Sequence, residues 1–365
     1  MCQNCCWVRQ NARKTEMVAR FLFGLMFAAL VASTGRPAVA DELDILKGKT
    51  IRFIVGSDAS SGTHRYARPF ADELQRLLPE TTIRVQAMPG AGSMVALGEA
   101  YGAAGSVITL VAGQYSPIYA QMLERDTVAF DLNDFHWIGA LTNNQRTLAV
   151  RSTLEQQTLD DLVRREAPPI ALIDGAGSPG HYELRLITAM AGFDVRMVTG
   201  VEDDLRITML MAGDADLVLN SYYQLDVMVE AGELTPILRY GRDGYPAALD
   251  DLPTVADVAR PGTPAALVDL LESFDKIGRP IAAAPATDPA IVAALRAAFE
   301  SIVAGPELAA AYEKANLILA PTSGEEIAER IHDILGRSDT LASMKEYLAC
   351  SERKGAELST YCERP

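Results

Sequence analysis

The sequence predicts an α/β protein of two lobes, each built on a mostly parallel sheet with flanking helices. Three observations lead there. Short β-branched runs alternate with longer helical patterns, and that alternation restarts after the middle of the chain. About 325 residues also follow an N-terminal leader, more than a single hydrophobic core usually serves.

The first unit opens with Thr50–Val55 (TIRFIV) as a strand. His64–Leu78 reads as a helix, with Phe70, Leu74, Leu77 and Leu78 on one face; Pro69 weakens its first turns by removing a backbone donor. Thr82–Gln86 follows as a strand, Ser93–Ala103 as a small-residue helix and Val107–Val111 as a third strand. In the second unit the strands are Thr147–Val150, Ile170–Ile173, Val195–Val198, Asp216–Leu219 and Ile237–Arg239. Between them, Leu159–Arg165, Tyr182–Ala191, Asp203–Met211 and Tyr223–Ala231 read as helices, the first N-capped by Thr158 with Asp161 in its first turn. Ala248–Arg260 is loop-rich and Gly278–Ala284 extended. Pro289–Val303, Glu307–Asn316 and Gly324–Leu335 close the chain as helices, with Ser323 and Glu326 forming a capping box. The expected division is 41–147 for lobe one, 148–277 for lobe two, 278–336 for the return to lobe one, and 337–365 as a C-terminal tail. Two crossings make a natural hinge.

The termini speak to location. Arg9, Arg13, Lys14 and Arg20 precede the apolar run Phe21–Ala32, and Ala38-Val39-Ala40 supplies an A-x-A site. Residues 1–40 are therefore expected to be a signal peptide cleaved near Ala40, with Met17 an alternative start, and the processed protein to be periplasmic. No later run approaches membrane-spanning length, so the processed chain is expected to be soluble. Cys2, Cys5 and Cys6 fall in the leader. Cys350 and Cys362 remain, an even pair that reads as a disulfide in an oxidising compartment, with two free thiols as the alternative.

Composition excludes several functions. The full chain has net charge −15; removing the leader, with its five basic and one acidic residue, leaves −19. Nothing offsets phosphate repulsion, so nucleic acid is not an expected partner. His64, His136, His181 and His332 are scattered without metal-ligand spacing, and there is no GxSxG elbow. No metal, cofactor or catalytic residue is expected.

Three small-residue loops precede helices: Gly56–Thr63, Met88–Ser93 and Asp174–Gly180. In open α/β sheets ligands bind beyond the carboxyl ends of the strands. Small residues let backbone N–H groups approach an anion, and a helix start adds partial positive charge. Taken singly, each loop reads as an ordinary turn; three at equivalent places point to a shared cleft. Gly56–Thr63 has Thr63 where a phosphate-binding P-loop needs Lys. Gly175–Gly180 matches GxGxxG, with Asp194 near the acidic offset, but Pro179 removes an amide that a pyrophosphate needs. His64 and His181 each open a helix after such a loop, where facing the cleft and facing solvent are both open to them.

Seven segments, in order over roughly residues 48–335, resemble the solute-binding proteins of tripartite tricarboxylate transporters, the Bug-type receptors. They are Ile51–Gly56 with its Ser/Gly loop, Tyr66-Ala67-Arg68, Val85–Ser93, Asp134–Gly139, Gly175–Gly180, Asp251–Val255 and Gly278-Arg279-Pro280. The resemblance implies a type 2 periplasmic-binding-protein fold and a carboxylate held by backbone N–H groups of two loops. By position these are Ser57, Asp58, Ser60, Ser61, Gly62 and Thr63 in lobe one and Gly175, Ala176, Gly177 and Ser178 in lobe two, with the Gly90–Ser93 turn in support. Gln114, Tyr115, Asn220 and Ser221, beyond strands, are further cleft candidates. Three features depart from the family: Ser60-Ser61-Gly62 replaces a Gly-Gly-Gly run, His64 stands where an Asp is common, and the polar turn before the third strand is shortened to Gly102–Gly105; the tail after Gly336 falls outside the resemblance.

The expected function is capture of a small organic acid between two lobes and its delivery, by a monomeric receptor, to the membrane permease subunits of a tripartite transporter. A sensor-kinase partner is the alternative, and an exported enzyme using Ser61, His64 or His181 a third. Dicarboxylate, tricarboxylate, aromatic acid and amino acid all remain open as ligands.

Overall fold

The computed structural model describes residues 42–123, 128–173, 175, 177–201, 203–242 and 244–352. The expected leader and Ala176 lie outside these residues, as does Cys362 of the expected Cys350–Cys362 disulfide, and only the backbone of Cys350 is described.

The chain begins β1 (Thr50–Val55), α1 (Gly62–Leu77), β2 (Thr82–Ala87), α2 (Met94–Tyr101), β3 (Ile108–Ala112), α3 (Ser116–Met122) and β4 (His136–Ala140). It continues β5 (Arg146–Arg151), α4 (Leu159–Arg164), β6 (Ile170–Ile173), α5 (Pro179–Ala191), β7 (Arg196–Thr199), α6 (Asp203–Ala212), β8 (Leu217–Ser221), α7 (Asp226–Glu230) and β9 (Leu234–Arg239). The last part is α8 (Val255–Val258), α9 (Ala265–Ile277), β10 (Pro280–Ala283), α10 (Pro289–Val303), α11 (Pro306–Lys314), β11 (Thr322–Ser323), α12 (Gly324–Leu335) and α13 (Ser338–Glu352).

These strands form two sheets. The first has the order β11-β4-β10-β3-β1-β2 and the second β7-β6-β8-β5-β9. Each contains the parallel unit expected from the sequence: β1 pairs in parallel with β2 and β3, and β6 with β7 and β8. The strands that follow the crossings add antiparallel pairs, β10 to β3 and β4 in one sheet and β5 to β8 and β9 in the other. Both sheets are thus mixed. Central β3 is buried at every position, whereas edge strand β2 is only partly covered, as expected for helices on both faces of a sheet.

The chain passes from the first sheet to the second between Ala140 and Arg146, and returns between Arg239 and Pro280. The two crossings run side by side. Asn144 N–H donates to Asp275 O at 2.8 Å, and Arg279 N–H to Thr142 O at 3.3 Å. Gly278 sits at φ 61 with its α-carbon against Thr142 O, where a side chain has no room.

Local chemistry explains the helix starts. Ser61, Thr158, Ser178 and Ser323 each accept the N–H three residues on. At Thr158 the reciprocal bond from Asp161 completes a capping box, as expected. At Ser323 the second arm of the expected box is missing, because the Glu326 carboxylate turns to Arg330 one turn on. Helix α1 continues through Pro69, and α5 starts at Pro179, three residues before its expected start; Pro suits the first helical position. Residues 338–352, expected as a tail, are instead helical. α13 packs on α5 and α9 and buries Met344, Tyr347 and Leu348.

Candidate ligand cleft between the two sheets

On the first-sheet side, one serine knots the loops together. Ser93 Oγ donates to Gly56 O at 2.8 Å and accepts Gln114 N–H at 3.0 Å; Ser116 Oγ donates to Gly92 O at 2.6 Å. A Cβ on Gly56 would lie 2.7 Å from the Ser93 side chain. The small residues of the Gly56 and Gly90–Ser93 loops therefore let three strand ends converge. Ser57 and Ser61 share a hydrogen bond of 2.5 Å in the same region.

This convergence presents Gln114 and Tyr115 to a cleft also lined by Asn144, Arg146 and Arg279 of the crossings, and by Pro179, Gly180, Arg206, Leu219, Asn220 and Gln224 of the second lobe. The cleft holds about 420 Å³ of free space, counting its open mouth. Its lining is mostly amide and guanidinium.

A buried ionic bridge forms one wall. Glu183 of α5 is fully buried, and its Oε2 accepts Arg146 Nε at 2.9 Å and Nη2 at 2.7 Å. Its Oε1 accepts the Tyr115 hydroxyl at 2.6 Å. This bond joins the β3 end to the second lobe, and Tyr115 and Tyr119 stack on Phe274 beside it. Burial foremost pushes the Tyr115 hydroxyl well above its ordinary value, so it stays a donor. Behind Arg146, buried Asp275 accepts Arg146 N–H at 2.7 Å and the Tyr245 hydroxyl at 3.1 Å. Burial raises the Asp275 carboxyl to about 7, against the pull of those bonds.

Arg279 is the unbalanced charge. Its Nη2 donates to Tyr223 Oη at 3.2 Å and its Nη1 to Asn144 Oδ1 at 3.4 Å, while Nε has no acceptor. No described carboxylate pairs with it. Asn220, 4% exposed, spends Oδ1 on Ser221 N–H at 2.9 Å and leaves Nδ2 buried without an acceptor. A cation and a buried amide donor left unsatisfied in one cleft each carry a desolvation cost that an acceptor-rich ligand removes.

The two helix starts picked from the sequence reach this cleft differently. Gly62 at the start of α1 lies where a Cβ would be 2.6 Å from Tyr223 Oη, 3.4 Å from Arg279 Nη2 and 3.9 Å from Gln224 Nε2. Pro179 and Gly180 at the start of α5 line the cleft directly. Of the other candidates, Gln114, Tyr115 and Asn220 line it. Ser57, Asp58, Ser60, Ser61, Thr63, His64, Gly90, Gly175, Gly177, Ser178 and His181 are not among the lining residues. Asp58 and Ser60 are exposed, and Thr63 is buried. His64 is half-buried, its imidazole pKa lowered by that burial and by Arg68. His181 packs edge-on to Tyr182 with Nε2 3.3 Å from Arg185. The sequence reading passed over Asn144, Arg146, Arg206, Gln224 and the guanidinium of Arg279. The only signal was Gly278-Arg279-Pro280, a polar residue between two backbone constraints at a crossing.

Further contacts cross the cleft on one flank. Asn316 Nδ2 donates to Asp226 Oδ2 at 2.9 Å, and Tyr66 meets Tyr223 edge-to-face at 5.4 Å.

Neither a protein-family model nor a curated protein matches the sequence. Solved structures do match. A TctC solute-binding protein from Polaromonas, without ligand, is 20% identical over 81% of this chain and 98% of its own, with TM-score 0.60. The periplasmic binding protein BugD is 16% identical over 82% and 97%, with TM-score 0.63. MatC from Rhodopseudomonas palustris, with bound malate, is 18% identical over 80% and 99%, with TM-score 0.63. The chain has the two-lobed α/β fold of periplasmic solute-binding proteins of the TctC and Bug kinds.

Proposed function

We propose that this protein is a periplasmic receptor that closes its two lobes around a small carboxylate and passes it to the permease subunits of a tripartite transporter. The observation that carries this reading is the Arg279 guanidinium, without a carboxylate partner among the described residues, in a cleft lined mostly by amides and guanidiniums. In a chain of net charge −15 such a cation is a local exception, and a screened overall field does not prevent it from holding an anion. Malate bound to a protein of the same fold supports the same ligand chemistry.

Closure follows from the placement of the lining groups. Gln114 and Tyr115 belong to one lobe, Asn220 and Gln224 to the other, and Arg279 to the crossing between them. A ligand touching all of them is held fully only when the lobes are together, so binding shifts the population toward the closed form. The proposed role is binding and release, with no bond made or broken. Receptor monomers in the closed form then present a surface to the membrane permease.

The test is a thermal-shift screen of protein purified from the periplasm against organic acids, sugars and inorganic cations. A ligand that binds only the native state raises the melting temperature, by an increment equivalent to about 2.7 kcal/mol at one hundred times its Kd. At least one small carboxylate is expected to stabilise the protein, and Arg279→Gln to reduce the shift markedly at the same ligand concentration. Stabilisation by sugars or cations alone would overturn the reading.

A further inference from the structure

We infer that the cleft selects acids whose second polar group is neutral, such as hydroxy acids, and rejects their amino counterparts. This inference rests on the receptor reading above and goes beyond it by naming which carboxylates fit.

Hydrogen-bonding capacity around the cleft sets this preference. Among the described residues, no Asp or Glu lines it. The carboxylate adjoining it, Glu183, is 0% exposed and has both oxygens committed, one to Tyr115 and the other twice to Arg146. Asp275 lies behind Arg146 with both oxygens occupied as well. A ligand ammonium has three donors and no acceptor, so it needs oxygen partners and a counter-charge. Glu183 is fully buried and its charge is already balanced by Arg146, so it offers an ammonium in the cleft neither an accessible oxygen nor a free counter-charge.

The free groups are mostly donors. Arg279 Nε and Asn220 Nδ2 have no acceptor, and Asn144 is spent, with Nδ2 given to Phe274 O at 2.9 Å and Oδ1 taken by Arg279. A carboxylate accepts from both free donors, and its bond to the guanidinium is charge-assisted. Gln114 and Gln224 are half-buried lining amides, each with one acceptor and two donors. Such a group satisfies a hydroxyl, which both donates and accepts, but offers an ammonium only an uncharged oxygen. An ammonium placed there would also lie in the same cleft as the Arg279 cation, adding like-charge repulsion. A site built to bond one substituent rejects its analogue strongly when buried groups are then left unpaired.

Isosteric pairs test this directly. Calorimetric titration of the protein with malate and aspartate, and with lactate and alanine, compares a hydroxyl with an ammonium on the same carbon skeleton. The hydroxy acid is expected to bind at least 100-fold more tightly than its amino partner in a pair that binds. Gln114→Glu, which adds a carboxylate to the lining, is expected to narrow that ratio at least 10-fold by admitting the amine. Aspartate or alanine binding within 10-fold of its hydroxy counterpart overturns the inference and leaves the receptor reading intact. No binding of any organic acid, in this titration and in the thermal screen, overturns both.

Discussion

Gly62→Ala separates closure from folding. Gly62 opens α1 in ordinary helical geometry, and its missing side chain faces Tyr223 Oη across the cleft. An added Cβ would sit 2.6 Å from that oxygen and 3.4 Å from Arg279 Nη2, in the arrangement where the lobes meet. Overpacking of this kind costs about 1–3 kcal/mol. With the lobes apart there is no such overlap, and Gly to Ala at a position of compatible backbone geometry gains about 0.4–1 kcal/mol by restricting the unfolded chain. The penalty therefore falls on the closed form alone. At about 1.4 kcal/mol per factor of ten, affinity for a stabilising acid is expected to weaken about 5- to 150-fold. The unliganded melting temperature is expected to stay level or rise slightly. Titration calorimetry gives the first quantity and a thermal melt the second. A Kd within two-fold of wild type would refute the claim that α1 closes onto Tyr223; a large fall in unliganded stability would show that Gly62 is needed for folding itself.

Other perturbations probe the groups around Arg279. Arg279→Gln removes a cation whose hydrogen bonds to an anion are worth about 1.5–3 kcal/mol, so acid affinity should fall roughly 10- to 150-fold in calorimetry while the protein stays folded by circular dichroism. Glu183→Gln leaves buried Arg146 without its counter-charge and should cost about 3–5 kcal/mol in urea unfolding. Pairing Glu183→Leu with Arg146→Met should recover much of that loss, and no recovery would show that the bridge does more than balance charge. The Asp275 carboxyl, raised to about 7 from an ordinary 3.8, binds its proton more tightly folded than unfolded. Its contribution to stability is therefore present in full below the unfolded value and lost as pH rises toward 7. The stability difference between wild type and Asp275→Asn should change between pH 4 and 7 and be flat above pH 8; a flat difference throughout would mean that Asp275 ionises normally.

The parts of this molecule legible in its sequence are those set by local chemistry. β6 (Ile170–Ile173) and α10 (Pro289–Val303) match their sequence patterns residue for residue, because an apolar run and an Asp-Pro helix start fix both ends nearby. β4 was missed: His136-Trp137-Ile138-Gly139-Ala140 has no period-two pattern, and its pairing with β10 and β11 joins segments far apart in the chain. Gly139 is there to make room for the Phe299 ring, which only tertiary packing reveals. Helix α9, with its long apolar face, lies unassigned between the loop-rich stretch 248–260 and the extended stretch 278–284.

The cleft divides the same way. Gln114 and Tyr115 follow the end of β3 and Asn220 lies at the carboxyl end of β8, so the rule that ligands sit at carboxyl ends finds them. Arg146, Asn144 and Arg279 enter because two crossings, more than a hundred residues apart, lie against each other. Two of the small-residue loops expected to cradle an anion also have steric work: Gly56, Gly92 and Ser93 let them interlock and bring Gln114 forward. Unspent side-chain donors sit on the Arg279 guanidinium at the crossing and on the Asn220 amide at the carboxyl end of β8.

A crystal structure of the protein with its tightest-binding acid decides whether Arg279 anchors the ligand. The expected result is a carboxylate within hydrogen-bonding distance of both Arg279 Nε and Asn220 Nδ2, with the lobes closed over it. An acid bound elsewhere on the molecule, with Arg279 still unpaired, would contradict it.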